Sequence, residues 1–362
     1  MRARTTVAAA LSTVLALSLS ACGDSTGEGD DGTVSIGIAM PTKTSERWIN
    51  DGQDMVKNLK VFGYKSTLKY ADDDPKTQVS QVKDMISEGV DALVIASVDG
   101  HAFKGVLDKA RDAGIPVISY DRLILDTENV DYYASFDNEE VGEQQALFIA
   151  ERLGLVNGTG KGPFTVELFA GSSDDNNTRF FFKAAMDILK PYIAQGDLIV
   201  RSGETELDEV TTRRWDGVLA EKRMNRILDA DYAGKRIDAV LSPYDGMSLG
   251  VIRALKKHGY GTAGKPLPLV TGQDAEIPSI KSIKAGEQSQ TVYKDTRKLA
   301  LITSYMVNAV LHDKKPAITD EETYHNGRKV VPAYLLQPVS IDKSNYKSVL
   351  VGSGYVDSSD LD

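Results

Sequence analysis

Cysteine is nearly absent: Cys22 is the only one in 362 residues. Disulfides, a cysteine nucleophile inside a folded domain and thiolate metal sites are thereby excluded. Histidine is as thin, and His101, His258, His312 and His325 are scattered without the spacing of metal ligands. Positive charge is in deficit, with 42 Lys and Arg against 52 Asp and Glu and a net charge of -10. No basic stripe is available to neutralise phosphates, which argues against a nucleic-acid partner. Gly160-Lys161 has Leu155 where a phosphate loop needs its first Gly, and Gly162 where it needs Ser or Thr. The acids Asp72, Asp73 and Asp74 lack the spacing and the Gly of a calcium loop. Neither a metal nor a cofactor is expected.

What is present begins with an export signal. Arg2 and Arg4 precede an apolar run at 7–19 that is too short to span a bilayer stably. The run closes in Leu19-Ser20-Ala21-Cys22 and Gly23, which resembles a bacterial lipoprotein signal over 1–22. That resemblance implies that Cys22 becomes the lipid-bearing first residue of a protein held on the outer side of the cytoplasmic membrane. Residues 23–32, rich in Gly and Asp, read as a flexible tether.

From there the hydrophobic pattern alternates between strand and helix. Strand-like runs at 34–39, 66–70, 92–96 and 115–120 are separated by helix-like stretches at 48–62, 76–88 and 102–113. Asp72, Asp73 and Asp74 supply a cap for the second of these helices, with Pro75 in its first turn. Short connections in this order predict a parallel sheet covered on both faces. The pattern restarts at 130–134. Helices follow at 138–153, 179–189, 211–229 and 246–258, with strands at 164–169, 198–203, 239–242 and 269–272. A helix at 279–285, a strand at 290–293, a helix at 296–311 and strand-like residues at 323–336 close the chain. Two α/β units in tandem, exported and tethered, predict a two-lobed protein that closes on a ligand.

In such sheets ligands lie at the carboxyl ends of strands, so the chemistry is sought there. Lys43 and Arg47-Trp48 follow the first strand, and Asp121-Arg122 the fourth. Taken alone, that Asp–Arg pair suits either a surface ion pair or a contact to neighbouring hydroxyls. The second unit offers Asp174-Asp175-Asn176-Asn177, Arg214-Trp215, Tyr244-Asp245 and Gln273-Asp274, and Lys294 follows the late strand. Carboxylates, amides and cations beside two tryptophans suit a sugar, whose hydroxyls need donors and acceptors and whose C–H face packs on an indole.

Read in order, these segments resemble one family. Ile36-Gly37-Ile38-Ala39, Met40-Pro41-Thr42-Lys43, Arg47-Trp48, Tyr120-Asp121-Arg122 and Phe136-Asp137-Asn138 are similar to the periplasmic sugar-binding proteins of the xylose-binding and ChvE-type multiple-sugar group. So are Asp174-Asp175-Asn176-Asn177, Leu241-Ser242-Pro243-Tyr244-Asp245-Gly246, Gly272-Gln273-Asp274-Ala275 and Val292-Tyr293-Lys294-Asp295. Arg214-Trp215-Asp216 and the Ser-Pro-Tyr-Asp-Gly run look closest to the ChvE-type branch, and Tyr244 stands where the narrower xylose-binding pattern has Asn.

The resemblance implies the type 1 periplasmic binding protein fold, two doubly wound parallel-sheet α/β lobes joined by a three-stranded hinge. Lobe one is then expected over 33–130 plus 294–332 and lobe two over 131–293 plus 333–362. The crossings fall near 126–131, 291–295 and 331–338. It further implies an aldose in the cleft, held by Arg47, Asp121 and Arg122 with Trp48 stacked on the ring. From lobe two would come Asn177, Asp245 and Asp274, with Trp215 as the second ring contact, Lys294 near the crossover, and Asn176 and Lys43 at the margin. The implied role is a non-enzymatic, monomeric sugar-binding component of an ABC importer, meeting its permease and ATPase subunits. The alternatives are a sensor that presents sugar to a chemoreceptor or histidine kinase, and a glycosidase using Asp121 and Asp274.

Overall fold

Strands in the first half of the chain alternate apolar residues to both faces, and each face meets its own layer of helices. In the computed structural model, which describes residues 33–362, β1 (Ser35–Met40) sends Ile36, Ile38 and Met40 to one core and Ala39 to another. In β3 (Ala92–Ile95), Leu93 and Ile95 face one layer while Ala92 and Val94 face the other. The first layer is α2 (Pro75–Ser87) and α3 (Lys104–Asp112); the second is α1 (Glu46–Val61) and, from far along the chain, α10 (Thr296–Leu311). With β2 (Lys65–Tyr70), β4 (Val117–Tyr120), β5 (Tyr132–Phe136) and β11 (Ala333–Leu336) they form a six-stranded parallel sheet in the order β11-β5-β4-β3-β1-β2. The expected cap is in place: the Asp74 carboxylate accepts from the amides of Lys76 (3.3 Å) and Thr77 (3.0 Å), ahead of Pro75.

The second lobe repeats the design on a smaller sheet. β6 (Phe164–Leu168), β7 (Leu198–Ile199), β8 (Ala239–Leu241) and β9 (Leu269–Val270) run parallel in the order β7-β6-β8-β9. Around them lie α4 (Asn138–Arg152), α5 (Asn177–Gln195), the one-turn α6 (Leu207–Val210), α7 (Gly217–Asp231), α8 (Asp245–Lys257) and α9 (Ile277–Ala285). β10 (Gln290–Tyr293) pairs antiparallel with β12 (Val339–Asp342) beside this sheet.

Four segments differ from the sequence expectation. β5, expected to open the second unit, pairs with β4 (Ile118 opposite Tyr132), and β11, also assigned to lobe two, pairs with β5. Both therefore belong to the first sheet. The chain crosses after β5, between β10 and α10, and between β11 and β12, so the first crossing lies near Asp137 rather than at 126–131. The helix expected at 211–229 is broken: Arg214 and Trp215 hold φ of 55° and 57°, and Asp216 starts α7 afresh by accepting from the amides of Val218 and Leu219. The strands at 198–203 and 323–336 shrink to β7 and β11, the earlier residues of the latter serving as a loop. Among the described residues no helix is long and apolar enough to cross a membrane.

Candidate ligand-binding cleft

The carboxyl ends of both sheets face a cavity of ≈ 380 Å³ between the lobes. Of the residues expected to form the site, Arg47, Trp48, Asp121, Arg122, Asn177, Trp215, Asp274 and Lys294 line it.

The floor is an ion cluster drawn from four separate segments. Arg47, buried at the start of α1, gives Nε to Asp51 (3.1 Å), Nη1 to Asp274 (3.3 Å) and Nη2 to Asp121. The Lys294 ammonium, also buried, lies 2.9 Å from Asp274 and 4.0 Å from Asp121. Burial opposes the Arg47 charge, but Asp121, Asp274 and Asp51 outweigh it and hold the guanidinium well above its ordinary range. Burial likewise opposes the Asp121 charge; Arg47 and Lys294 overcome it and keep this carboxylate below the usual value. Asp51 goes the other way. Burial pushes it up to about 7 against the pull of Arg47 and a hydrogen bond from Tyr120. The backbone is tuned as well, since Asp121 and Asp274 sit at φ of 57° and 91°, left-handed positions that aim their carboxylates inward at a conformational cost.

Aromatic faces make the walls. The Trp48 ring lies under two guanidinium groups, Arg47 at 4.5 Å and Arg122 at 5.0 Å from its centre. Across the cavity Trp215 is held edge-on between Phe181 and Tyr244, each with its ring centre 6.2 Å away. The six-membered ring of the indole lies against Gly171: a Cβ there would come within 2.1 Å of it. That close approach is why glycine occupies this place in the loop after β6.

Polar contacts bridge the lobes around the rim. Arg122 Nε meets Asp175 at 2.9 Å, and Arg214, paired with Asp174, donates to the Val98 carbonyl at 3.3 Å. Asn177 donates to the Asp121 carbonyl (2.9 Å) and accepts from Tyr133 (3.1 Å) and Asn138 (3.2 Å). It fixes Asp121 in place while presenting one edge to the cavity.

Three expected ligands are placed elsewhere. Asp245 is fully buried beneath the cavity at the start of α8, accepting from Gln288 (2.8 Å), Thr291 (3.0 Å) and the Glu276 amide (3.0 Å). Burial raises its pKa well above the ordinary carboxylate range, and all its described contacts are internal. Lys43 is exposed, with its ammonium 4.9 Å over the Tyr70 ring. Asn176 is buried beside the cleft but not on its wall, and its amide has no hydrogen-bond partner among the described residues. Conversely, the cavity includes Asp175, Phe181, Arg214, Tyr244 and Gln273, none of them in the expected ligand set. Gln273 is 3% exposed and its Oε1 accepts no hydrogen bond from the described residues. Such a buried amide awaits a partner. Phe181 could have been found from its position four residues after Asn177, which puts both on one face of α5.

Comparisons with known proteins agree with this architecture. A family model described as a periplasmic binding protein domain matches residues 36–315. The chain is 57% identical over 326 residues to the multiple sugar-binding periplasmic receptor ChvE of Rhizobium radiobacter, covering 90% of this chain and 91% of that one. It is 56% identical over 321 residues to the multiple sugar-binding periplasmic protein SbpA of Azospirillum brasilense, covering 89% of each. An ABC transporter solute-binding protein from Clostridium phytofermentans, solved with bound β-D-glucose, superposes with a TM-score of 0.87 at 44% identity, covering 91% of this chain and 100% of that one. The chain belongs to the periplasmic binding protein family, and within it stands with the sugar-binding proteins of ABC transporters.

Proposed function

We propose that this protein captures a single aldose monosaccharide between its lobes and delivers it to an ABC importer outside the cytoplasmic membrane. The observation that carries the reading is the cavity wall. Carboxylates and cations from both lobes stand side by side, between the tryptophan faces of Trp48 and Trp215. Adjacent sugar hydroxyls both donate and accept, so a paired Asp–Arg edge serves them better than a lone charge. The cavity of ≈ 380 Å³ is at the small end of ligand sites, which run from about 300 to 1,000 Å³, and fits one sugar ring rather than a chain of them. A polar floor with aromatic flanks suits several aldoses that share ring hydroxyls, in keeping with the multiple-sugar relatives.

Binding by both lobes explains closure. Each lobe alone offers half of the partners, so the closed form binds far better and ligand shifts the population toward it. Catalysis is not the reading, because Asp121 and Asp274 are both tied to Arg47, and Asp274 to Lys294 as well, leaving neither poised as a free acid. Anchoring through a lipid on Cys22 completes the proposal and places capture at the membrane that holds the permease.

Titration calorimetry of the purified protein against glucose, galactose, arabinose, xylose, ribose and a disaccharide tests the assignment. Heat from several aldoses and none from the disaccharide is expected. Absence of heat with every monosaccharide would overturn it, and xylose alone would narrow it to a pentose carrier. Metabolic labelling with a clickable fatty acid, compared with Cys22→Ala, tests the anchor.

A further inference from the structure

Glu276 does not line the cavity, yet it joins two residues that do. Its Oε1 accepts from the Ser45 hydroxyl at 2.8 Å and from the Tyr244 hydroxyl at 2.8 Å. Ser45 stands just before α1 on the first lobe; Tyr244 and Glu276 precede α8 and α9 on the second. Glu276 is itself held from below, since its amide donates to Asp245 Oδ2 at 3.0 Å. The same Asp245 oxygen takes the Thr291 hydroxyl from β10, the strand that leads into the second crossing. Above, the Tyr244 ring meets Trp215 edge-on at 6.2 Å, and Trp215 is a wall of the cavity.

One carboxylate oxygen therefore ties the first lobe to an aromatic wall of the second, and the buried Asp245 ties the Glu276 backbone to the strand before the hinge. Resting on the sugar-binding reading, we propose that Glu276 is the positioning residue that latches the lobes: it holds Ser45 and Tyr244 together only in the closed form, so closure and the seating of the Tyr244–Trp215 wall occur as one event. On opening, Ser45 departs with the first lobe and Tyr244 keeps only its own lobe's partner. Glu276 itself lies off the cavity wall. Its contribution falls on how long the closed state lasts, not on how sugar first meets the cleft.

Ser45→Ala, Glu276→Gln and the double variant would each be compared with wild type by calorimetry and stopped-flow tryptophan fluorescence, using D-glucose. Loss of the Ser45 donor, or of the charge on its partly buried acceptor, predicts about tenfold weaker binding for each single variant. The loss should sit in the dissociation rate, with association within about twofold of wild type. The double variant should fall well short of the product of the two single effects, because both act on one bond: Ser45→Ala removes its donor and Glu276→Gln neutralises its acceptor. Tyr244→Phe, which keeps the ring and the Ser45 bond, should show a smaller loss than Glu276→Gln. Wild-type binding with both single variants unchanged, or single effects that multiply in the double variant, would overturn the latch and leave the sugar reading intact. Failure of wild type to bind any aldose would instead refute the function on which it rests. Ser45→Ala keeps the test decisive if Glu276→Gln fails to fold, since it removes only a hydroxyl at the rim.

Discussion

Gly171→Ala puts one carbon where the structure has no room for it. The added Cβ would stand 2.1, 2.2 and 2.4 Å from three carbons of the Trp215 ring. Ordinary carbon contacts begin near 3.5 Å, so the indole has to retreat by roughly 1.4 Å. Its backbone gives little help, because Trp215 is fixed at a φ of 57° and its ring is bracketed by Phe181 and Tyr244. The direction left open is the cavity, where the displaced ring takes space that the ligand needs. Overpacking of this kind costs about 1–3 kcal/mol of stability, and losing one well-placed stacked face costs about 1 kcal/mol of binding before any steric block is added. Glucose affinity should thus fall by at least about fivefold, with melting lowered by several degrees. Calorimetry and a thermal melt on the same sample measure both. The decisive control is Gly171→Ala with Trp215→Ala. Once the indole is gone the methyl loses its three closest clashes, so the pair should bind no worse than Trp215→Ala alone. Gly171→Ala within threefold of wild type, or a double variant clearly worse than Trp215→Ala, would refute the reasoning.

Other consequences can be checked as directly. Asp274→Asn keeps the shape of the side chain but leaves Arg47 and Lys294 short of a counter-charge; glucose binding should drop at least a hundredfold and stability by about 3 kcal/mol or more, read by calorimetry and urea unfolding. Asp51, raised to about 7 by burial, binds more protons in the folded than in the unfolded chain between roughly pH 4 and 7. Its contribution to stability therefore falls as pH rises through that window. Asp51→Asn, neutral throughout, should gain on wild type across the same interval in paired urea titrations; a constant difference would sink the idea. The only two tryptophans of the chain both line the cavity, so glucose should change intrinsic fluorescence, and Trp48→Phe should leave the Trp215 part of that signal. An unchanged spectrum on saturation would mean that the ligand sits elsewhere.

Much of the cleft was legible because parallel-sheet topology delivers every strand-end loop to one edge. Arg47, Asp121, Arg122, Asp274 and Lys294 come from four such places, and spacing alone is enough to name the loops. What spacing does not encode is which way a side chain turns once there. Asp245 opens a helix beneath the cavity and faces inward to Gln288 and Thr291, although its sequence neighbour Tyr244 lines the wall. Lys43 rides over Tyr70, outside the cleft. Strand membership was hidden for a similar reason. The run at 132–136 looks like the start of a new unit because a long helix follows it, and only its pairing with β4 shows that the first sheet is not yet complete. The break at Arg214 and Trp215 had no local marker, since neither residue is Gly or Asn, the types that ordinarily adopt a left-handed backbone. At that break the Trp215 ring lies against Gly171.

The cleft is dense in charge, yet its cations are spoken for. Arg47 has Asp121 and Asp274, Lys294 has Asp274, Arg122 has Asp175, and Arg214 has Asp174. An entering molecule displaces water from these pairs rather than mobile counterions, and pairs buried this deeply are screened far less by added salt than exposed ones. Affinity for a neutral sugar should then hold nearly constant from dilute buffer to molar sodium chloride. A uronic acid gains nothing from the same wall, because each cation it could seek is already neutralised, and it still loses its own hydration. The ion pairs thereby act as a filter against anionic solutes, built from charged residues.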